Sequence, residues 1–87
     1  MPCVCICIPT YNAELTIKET LLSLVNQSYP HLLIKVIDNA STDETLACAR
    51  SIDDERIQVI EHALNVGGEG NFNRCIAYAE GDFTGIF

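Results

Sequence analysis

Eighty-seven residues and a net charge of −7 set the first limits. A chain this short is one domain or part of one, and its core can only be thin. Lys18, Lys35, Arg50, Arg56 and Arg74 are scattered along it, so no basic stripe exists to neutralise a polyphosphate backbone, and no nucleic-acid partner is expected. No apolar run approaches the ~20 residues that span a bilayer. The N-terminus has neither a basic region nor a small-residue cleavage site, so a cytoplasmic chain is expected.

Val4–Ile8 is short and apolar on both faces, which suits a central parallel strand with helices on either side. Cys3, Cys5 and Cys7 alternate along it and share one face. With no CxxC pair or histidine partner, they read as small apolar residues under a helix rather than metal ligands. Pro9-Thr10-Tyr11-Asn12 is the polar turn that follows. From about residue 13 to 26 the period becomes helical. Ile17, Leu21, Leu24 and Val25 form a stripe with Leu22 beside it, while Lys18, Glu19 and Ser23 face out. Asn12 is placed to cap this helix, and Thr16-x-x-Glu19 offers a second capping box. Tyr29-Pro30 ends the segment.

Leu32–Ile37 is the second strand and Asp38-Asn39-Ala40 its turn. Ser41-Thr42-Asp43-Glu44 has the form of a capping box. The helix it opens reaches about residue 52 and buries Leu46, Ala47 and either Cys48 or Ala49. Ile57–Glu61 is the third strand. Residues 62–70 read as a loop whose Gly67-Gly68-x-Gly70 run resembles a phosphate cradle but follows strand 3 and not strand 1, where a dinucleotide fingerprint sits, so a flexible turn is the better reading. A third helix over about 71–79 presents Phe72, Cys75, Ile76 and Ala79, with Cys48 and Cys75 packing inside their helices. Gly81 caps its end, and residues 83–87 begin a fourth strand.

The βαβαβαβ succession gives an α/β, Rossmann-like parallel sheet with right-handed crossovers, strand order 3-2-1-4 and helices on both faces. Ligands of such sheets bind beyond the carboxyl ends of the strands, at the switch point. Both polar turns fall there. Asp38 is the leading binding candidate, set against an Asx turn onto Ala40 or Ser41. Asn39 divides evenly between the same readings, while Ser41 and Asp43 lean towards capping and the helix dipole. Thr10 and Tyr11 face the crevice, Tyr11 with a ring that stacks on a base or covers the rim. Asn12 binds or caps, and Arg74 reaches a phosphate or base or lies solvated on its helix. No nucleophile–base pair is visible, so hydrolase chemistry has no support. A receiver-like domain with Asp38 as phosphoacceptor lacks the acids after strand 1 and the late lysine it needs.

The stretches 5–12, 21–30 and 36–43, the Asn65-Val66-Gly67-Gly68 turn and Gly81-Asp82-Phe83 together resemble the N-terminal, nucleotide-binding half of the family 2 glycosyltransferases, which have the A-type glycosyltransferase fold. The resemblance implies transfer of a sugar from a UDP- or dTDP-linked donor to a hydroxyl of a glycan or lipid-linked acceptor. Polysaccharide biosynthesis for the cell envelope, in the cytoplasm or at the inner face of the membrane, is the setting it implies. It places Pro9, Thr10, Tyr11 and Asn12 in the nucleotide pocket and Asp38 and Asn39 against the base or ribose. Asn39 stands where many members carry a second aspartate. A divalent metal (Mg or Mn) on a DxD-type motif would follow strand 4, so its ligands, the catalytic base and the acceptor half are expected beyond Phe87, and no catalytic residue is assigned. Residues 1–87 are then an incomplete domain. The alternative is a non-catalytic nucleotide-binding or interaction module with the same half-fold.

Two physical expectations follow. Unit charges of like sign ~4 Å apart repel by ~4 kcal/mol at an effective dielectric of 20, so an acidic chain without that cation binds a nucleoside diphosphate weakly if at all. The last strand, an incompletely covered neighbour of strand 1, invites self-association.

Overall fold

The computed structural model describes residues 3–27, 31–79 and 83–86. Its elements are β1 (Val4–Thr10), α1 (Ile17–Val25), β2 (Leu32–Asn39), α2 (Thr45–Arg50), β3 (Ile57–His62), α3 (Gly67–Ala77) and β4 (Phe83–Ile86). The four strands form one parallel sheet in the order β3-β2-β1-β4, as the alternation of elements implied.

Side-chain alternation divides the sheet into two unlike faces. On one, Ile8, Leu32, Ile34 and Val36 meet Ile17, Leu21 and Leu24 of α1 and Ala49 of α2. Leu21 and Ile34 are fully buried there, and removing each side chain's apolar surface from water contributes about 1.5–3 kcal/mol. On the other, Cys5, Cys7 and Ile37 lie beneath Cys75 of α3. The Cys5 and Cys7 sulfurs are 3.9 Å apart, and burial, reinforced by Cys5, pushes the Cys7 thiol up to about 11. Burial raises Cys75 as well. Lys35, also buried, donates from Nζ to the Tyr78 carbonyl at 2.9 Å. That places a cation against the last turn of α3, where the helix dipole favours it.

The helix boundaries depart from the sequence pattern. α1 starts at Ile17, because Ala13 O accepts from both Thr16 N–H and Ile17 N–H in a preceding turn. Neither expected cap forms: Thr16 makes no side-chain capping bond, and the Asn12 side chain is spent on Thr42. α2 has six residues and buries Thr45 and Ala49, one turn apart. Leu46 and Cys48 are half-buried and Ala47 is exposed, contrary to the expected stripe. α3 begins four residues before the expected start and buries Asn71 and Cys75. Phe72 and Ile76 stay 44% and 56% exposed, and Ala79 lies past the helix. A polar Asn71 on the buried face is what defeated the apolar periodicity. The Tyr29-Pro30 stop, the Gly81 cap and Phe87 fall outside the described residues.

Candidate functional site

Parallel pairing sets Thr10, the last residue of β1, opposite Asp38 near the end of β2. The turns that follow are joined by short-range bonds between loops roughly thirty residues apart in sequence. Asn12 N–H donates to Ser41 Oγ (2.9 Å), and Thr42 N–H donates back to Asn12 Oδ1 (2.8 Å). Ala13 N–H donates to Thr45 Oγ1 at 2.7 Å, Glu14 N–H to Asp43 Oδ2 at 3.4 Å, and Glu44 N–H to the Glu14 carboxylate at 3.1 Å. Asn12 holds a φ of 47° in this turn, a conformation asparagine tolerates better than most residues.

Asp38 anchors the second turn from beneath. Its side chain is fully buried. One oxygen accepts Ser41 N–H at 3.0 Å and the other accepts Ser41 Oγ–H at 2.6 Å. These bonds hold Ala40 at a φ of 60°, where a non-glycine residue is strained. With both oxygens engaged and none exposed, Asp38 has no geometry for accepting a phosphoryl group. Asp43 accepts Thr45 N–H at 2.9 Å and also the Thr45 hydroxyl. Burial opposes its charge, but the Thr45 and Glu14 hydrogen bonds outweigh it and lower its pKa.

The facing wall is the start of α3, fixed by amides. Asn39 Nδ2 donates to Asn65 Oδ1 (3.1 Å) and to the Gly67 carbonyl (3.2 Å). Asn39 Oδ1 accepts Val66 N–H and Arg74 Nη1–H, both at 3.0 Å. Asn65 Oδ1 also accepts Gly67 N–H at 2.8 Å. Asn71 Nδ2 donates to the Ile37 carbonyl at 2.9 Å, tying the helix to β2. Arg74 completes the set with Nη1 on Asn71 Oδ1 (3.3 Å) and Nη2 on the Leu64 carbonyl (2.7 Å).

Between the two walls lies an open cleft of about 350 Å3. Pro9, Thr10 and Tyr11 line it from β1, Asn39 from β2, and Asn65, Gly67, Gly68 and Asn71 from the α3 side. None of these lining residues is acidic, and the positive end of the α3 dipole lies here. Tyr11 keeps 49% of its surface exposed, whereas buried Thr10 donates its hydroxyl to the Ile8 carbonyl at 2.9 Å. A Cβ at Gly67 or Gly68 would meet nothing within 4 Å, and Gly67 has a φ of +80°, so this wall is open to a close-approaching ligand.

Of the sequence candidates, Pro9, Thr10, Tyr11 and Asn39 are brought together at the cleft. Asn12, Asp38 and Arg74 are outside its lining: Asn12 is bonded to Thr42, Asp38 to Ser41, and Arg74 to Asn39, Asn71 and Leu64. Asn65 and Asn71 were missed as lining residues, and Gly67 and Gly68, weighed as a phosphate cradle but read as a flexible turn, line the cleft from the start of α3. The signal was the break in the apolar stripe at Asn71. A second cleft, of about 340 Å3, lies on the α1 side of Tyr11 and includes Ala13, Thr16 and Thr20. Among the described residues, no three His, Cys, Asp or Glu side chains cluster so as to hold a metal ion. No described helix is long and apolar enough to cross a membrane.

A family model described as glycosyl transferase family 2 matches residues 5–87. A putative teichuronic acid biosynthesis glycosyltransferase of Bacillus subtilis is 33% identical over 85 residues, covering 95% of this chain and 34% of that protein. A UDP-Glc:alpha-D-GlcNAc-diphosphoundecaprenol beta-1,3-glucosyltransferase of Escherichia coli is 34% identical over 80 residues, covering 92% of this chain and 32% of its own length. Among solved structures, a mannosyltransferase of Pyrobaculum calidifontis in complex with GDP-Man and Mn2+ matches at a TM-score of 0.83 and 30% identity, over 95% of this chain and 26% of the other. The chain thus spans about a third of the length of these curated relatives.

Proposed function

The chain belongs to glycosyl transferase family 2, and from that membership we propose that it forms the donor-nucleotide portion of a glycosyltransferase, with the cleft between Pro9–Tyr11 and the start of α3 as the nucleotide site. The observation that carries this reading is the position of the cleft: an open, acid-free crevice beyond the carboxyl ends of two adjacent parallel strands, where ligands of such sheets are held. The exposed Tyr11 ring offers a stacking face for a nucleobase. Gly67 and Gly68 let the ligand approach backbone directly, and the dipole of α3 favours its negative charge. The cleft lining is neutral although the whole chain carries −7, so local repulsion is smaller than net charge implies.

In this reading the whole protein transfers a sugar from a nucleoside-diphosphate donor, UDP- or dTDP-linked, to a hydroxyl of a glycan or lipid-linked acceptor. The teichuronic acid and undecaprenol-linked activities of the relatives support an envelope polysaccharide as the product class. The lipid-linked substrate of the undecaprenol relative supports work at a membrane surface, and the cytoplasmic side, at the inner face of that membrane, is part of this proposal. The described acids form no group of three that could hold a metal ion, and in this reading the ligands of any Mg or Mn belong to other parts of the whole protein. The catalytic base and acceptor site are placed there too.

The test is an NMR titration of the chain with UDP, dTDP and GDP at millimolar concentration. Amides of Thr10, Tyr11, Gly67 and Gly68 are expected to shift. Gly68→Leu, whose side chain enters open space, is expected to abolish those shifts without lowering the melting temperature. Unchanged titration of Gly68→Leu would refute the site.

A further inference from the structure

We propose that Asn39 and Arg74 are positioning residues of the donor cleft rather than ligand contacts, an inference that rests on the nucleotide-site reading above. A side-chain amide offers two N–H donors and an oxygen with two lone pairs. All four are engaged within the protein. The donors go to Asn65 Oδ1 and Gly67 O, and the oxygen takes Val66 N–H and Arg74 Nη1–H. With 3% of its surface exposed, Asn39 borders the cleft yet has nothing left to give a base.

Arg74 fixes which way that amide points. Its planar fork reaches Asn39 Oδ1, Asn71 Oδ1 and Leu64 O together. A flipped Asn39 would set its NH2 group against both the guanidinium and Val66 N–H. The amide must therefore hold its oxygen towards Arg74 and its nitrogen towards Gly67, which fixes the glycine wall. The same geometry explains why asparagine stands here and not aspartate. A carboxylate could accept from Val66 and Arg74, but it has no proton for the Gly67 carbonyl. Asn65 would have to turn its own amide towards the new charge, and Gly67 N–H would lose Asn65 Oδ1 as its acceptor.

Asn39→Asp therefore gives a signature that separates positioning from contact. In the nucleotide-free chain, Gly67 amide exchange followed by NMR is expected to accelerate about tenfold, while Val66 changes less than about twofold. UDP affinity is expected to fall about tenfold. Arg74→Lys, whose single ammonium cannot serve three separated acceptors, is expected to accelerate Gly67 exchange and weaken UDP similarly. The double variant should lose less than the sum, because both changes act on one network. Unchanged Gly67 exchange in Asn39→Asp, or a rise in UDP affinity such as a carboxylate facing the base N–H would give, overturns the proposal. If Asn39→Asp does not fold, Gly67 exchange in Arg74→Lys decides by the same criterion. If the unsubstituted chain shows no UDP shifts, the nucleotide-site reading fails, while the exchange measurements still decide the positioning role.

Discussion

The two faces of the sheet are held in different ways. Beneath α1 and α2 the contacts are large aliphatic side chains, Leu21 and Ile34 among them, and the attraction is area removed from water. Between the sheet and α3 the buried apolar residues are three cysteines and one isoleucine. There the helix is fixed mainly by directed bonds: Asn71 to the Ile37 carbonyl, Lys35 to the Tyr78 carbonyl and Arg74 to Leu64. Area is strong but non-directional, whereas hydrogen bonds are modest in net energy and specific in geometry. The aliphatic face supplies most of the stability. The other face supplies the placement of the cleft wall.

The most demanding way to break this comparison is to truncate each face. Ile34→Ala is expected to cost about 2–5 kcal/mol, enough to threaten a marginally stable fold. Cys75→Ala is expected to cost about 1 kcal/mol, since it deletes a single sulfur from an equally buried position. Urea unfolding midpoints measure both, and equal losses would erase the distinction. Next in size, Asp38→Ala leaves Ser41 N–H and Oγ–H without their acceptor and should cost about 2 kcal/mol. A loss near zero would show that Asp38 is not what holds the Ala40 turn.

Acid sensitivity sharpens the comparison at the sheet margin. Side-chain hydrogen bonds from the Arg56 guanidinium, followed by Arg56 N–H, lower the Asp54 carboxyl from 3.8 to about 2. Arg56 also donates to the Val25 carbonyl at 2.9 Å, joining the entry of β3 to the end of α1. A carboxyl lowered on folding stabilises fully above its ordinary value, and that contribution is lost as pH falls through the folded one. The Asp54 contribution is therefore present above about pH 4 and disappears between there and pH 2. Asp54→Asn should flatten that part of the urea-midpoint profile; an unchanged profile would assign the acid loss to other carboxyls. The smallest effect expected is that of Arg50→Ala. Its 3.2 Å pair with Glu61 is more than half exposed on both sides, and such pairs contribute about 0–1 kcal/mol.

The sheet was legible because Val4–Ile8 is apolar on both faces and Leu32–Ile37 is apolar but for Lys35, and few arrangements bury such strands. Their carboxyl ends then located Pro9, Thr10, Tyr11 and Asn39 without any structural knowledge. Less was legible where polar residues are buried. Asn71 sits where periodicity demands an apolar residue, so the third helix was phased on Phe72 and Ile76, which are exposed. Gly67, Gly68 and Gly70 have poor helix propensity, which hid the first turn of α3. Asp38 and Asn12 each allowed a local and a long-range role from sequence. The choice depended on partners about thirty residues away, such as Thr42 for Asn12, or on a turn geometry fixed by Ala40 at a φ of 60°.

The acid-free crevice, and not its neighbour on the α1 side of Tyr11, is where the nucleotide is proposed to bind. A crystal structure of the chain soaked with UDP tests it most directly. Base density is expected against the Tyr11 ring, with the diphosphate beside Gly67 and Gly68 and the Asn39 amide bonds unchanged. Density between Tyr11 and Thr16–Thr20, or a base hydrogen-bonded to a reoriented Asn39, would contradict it.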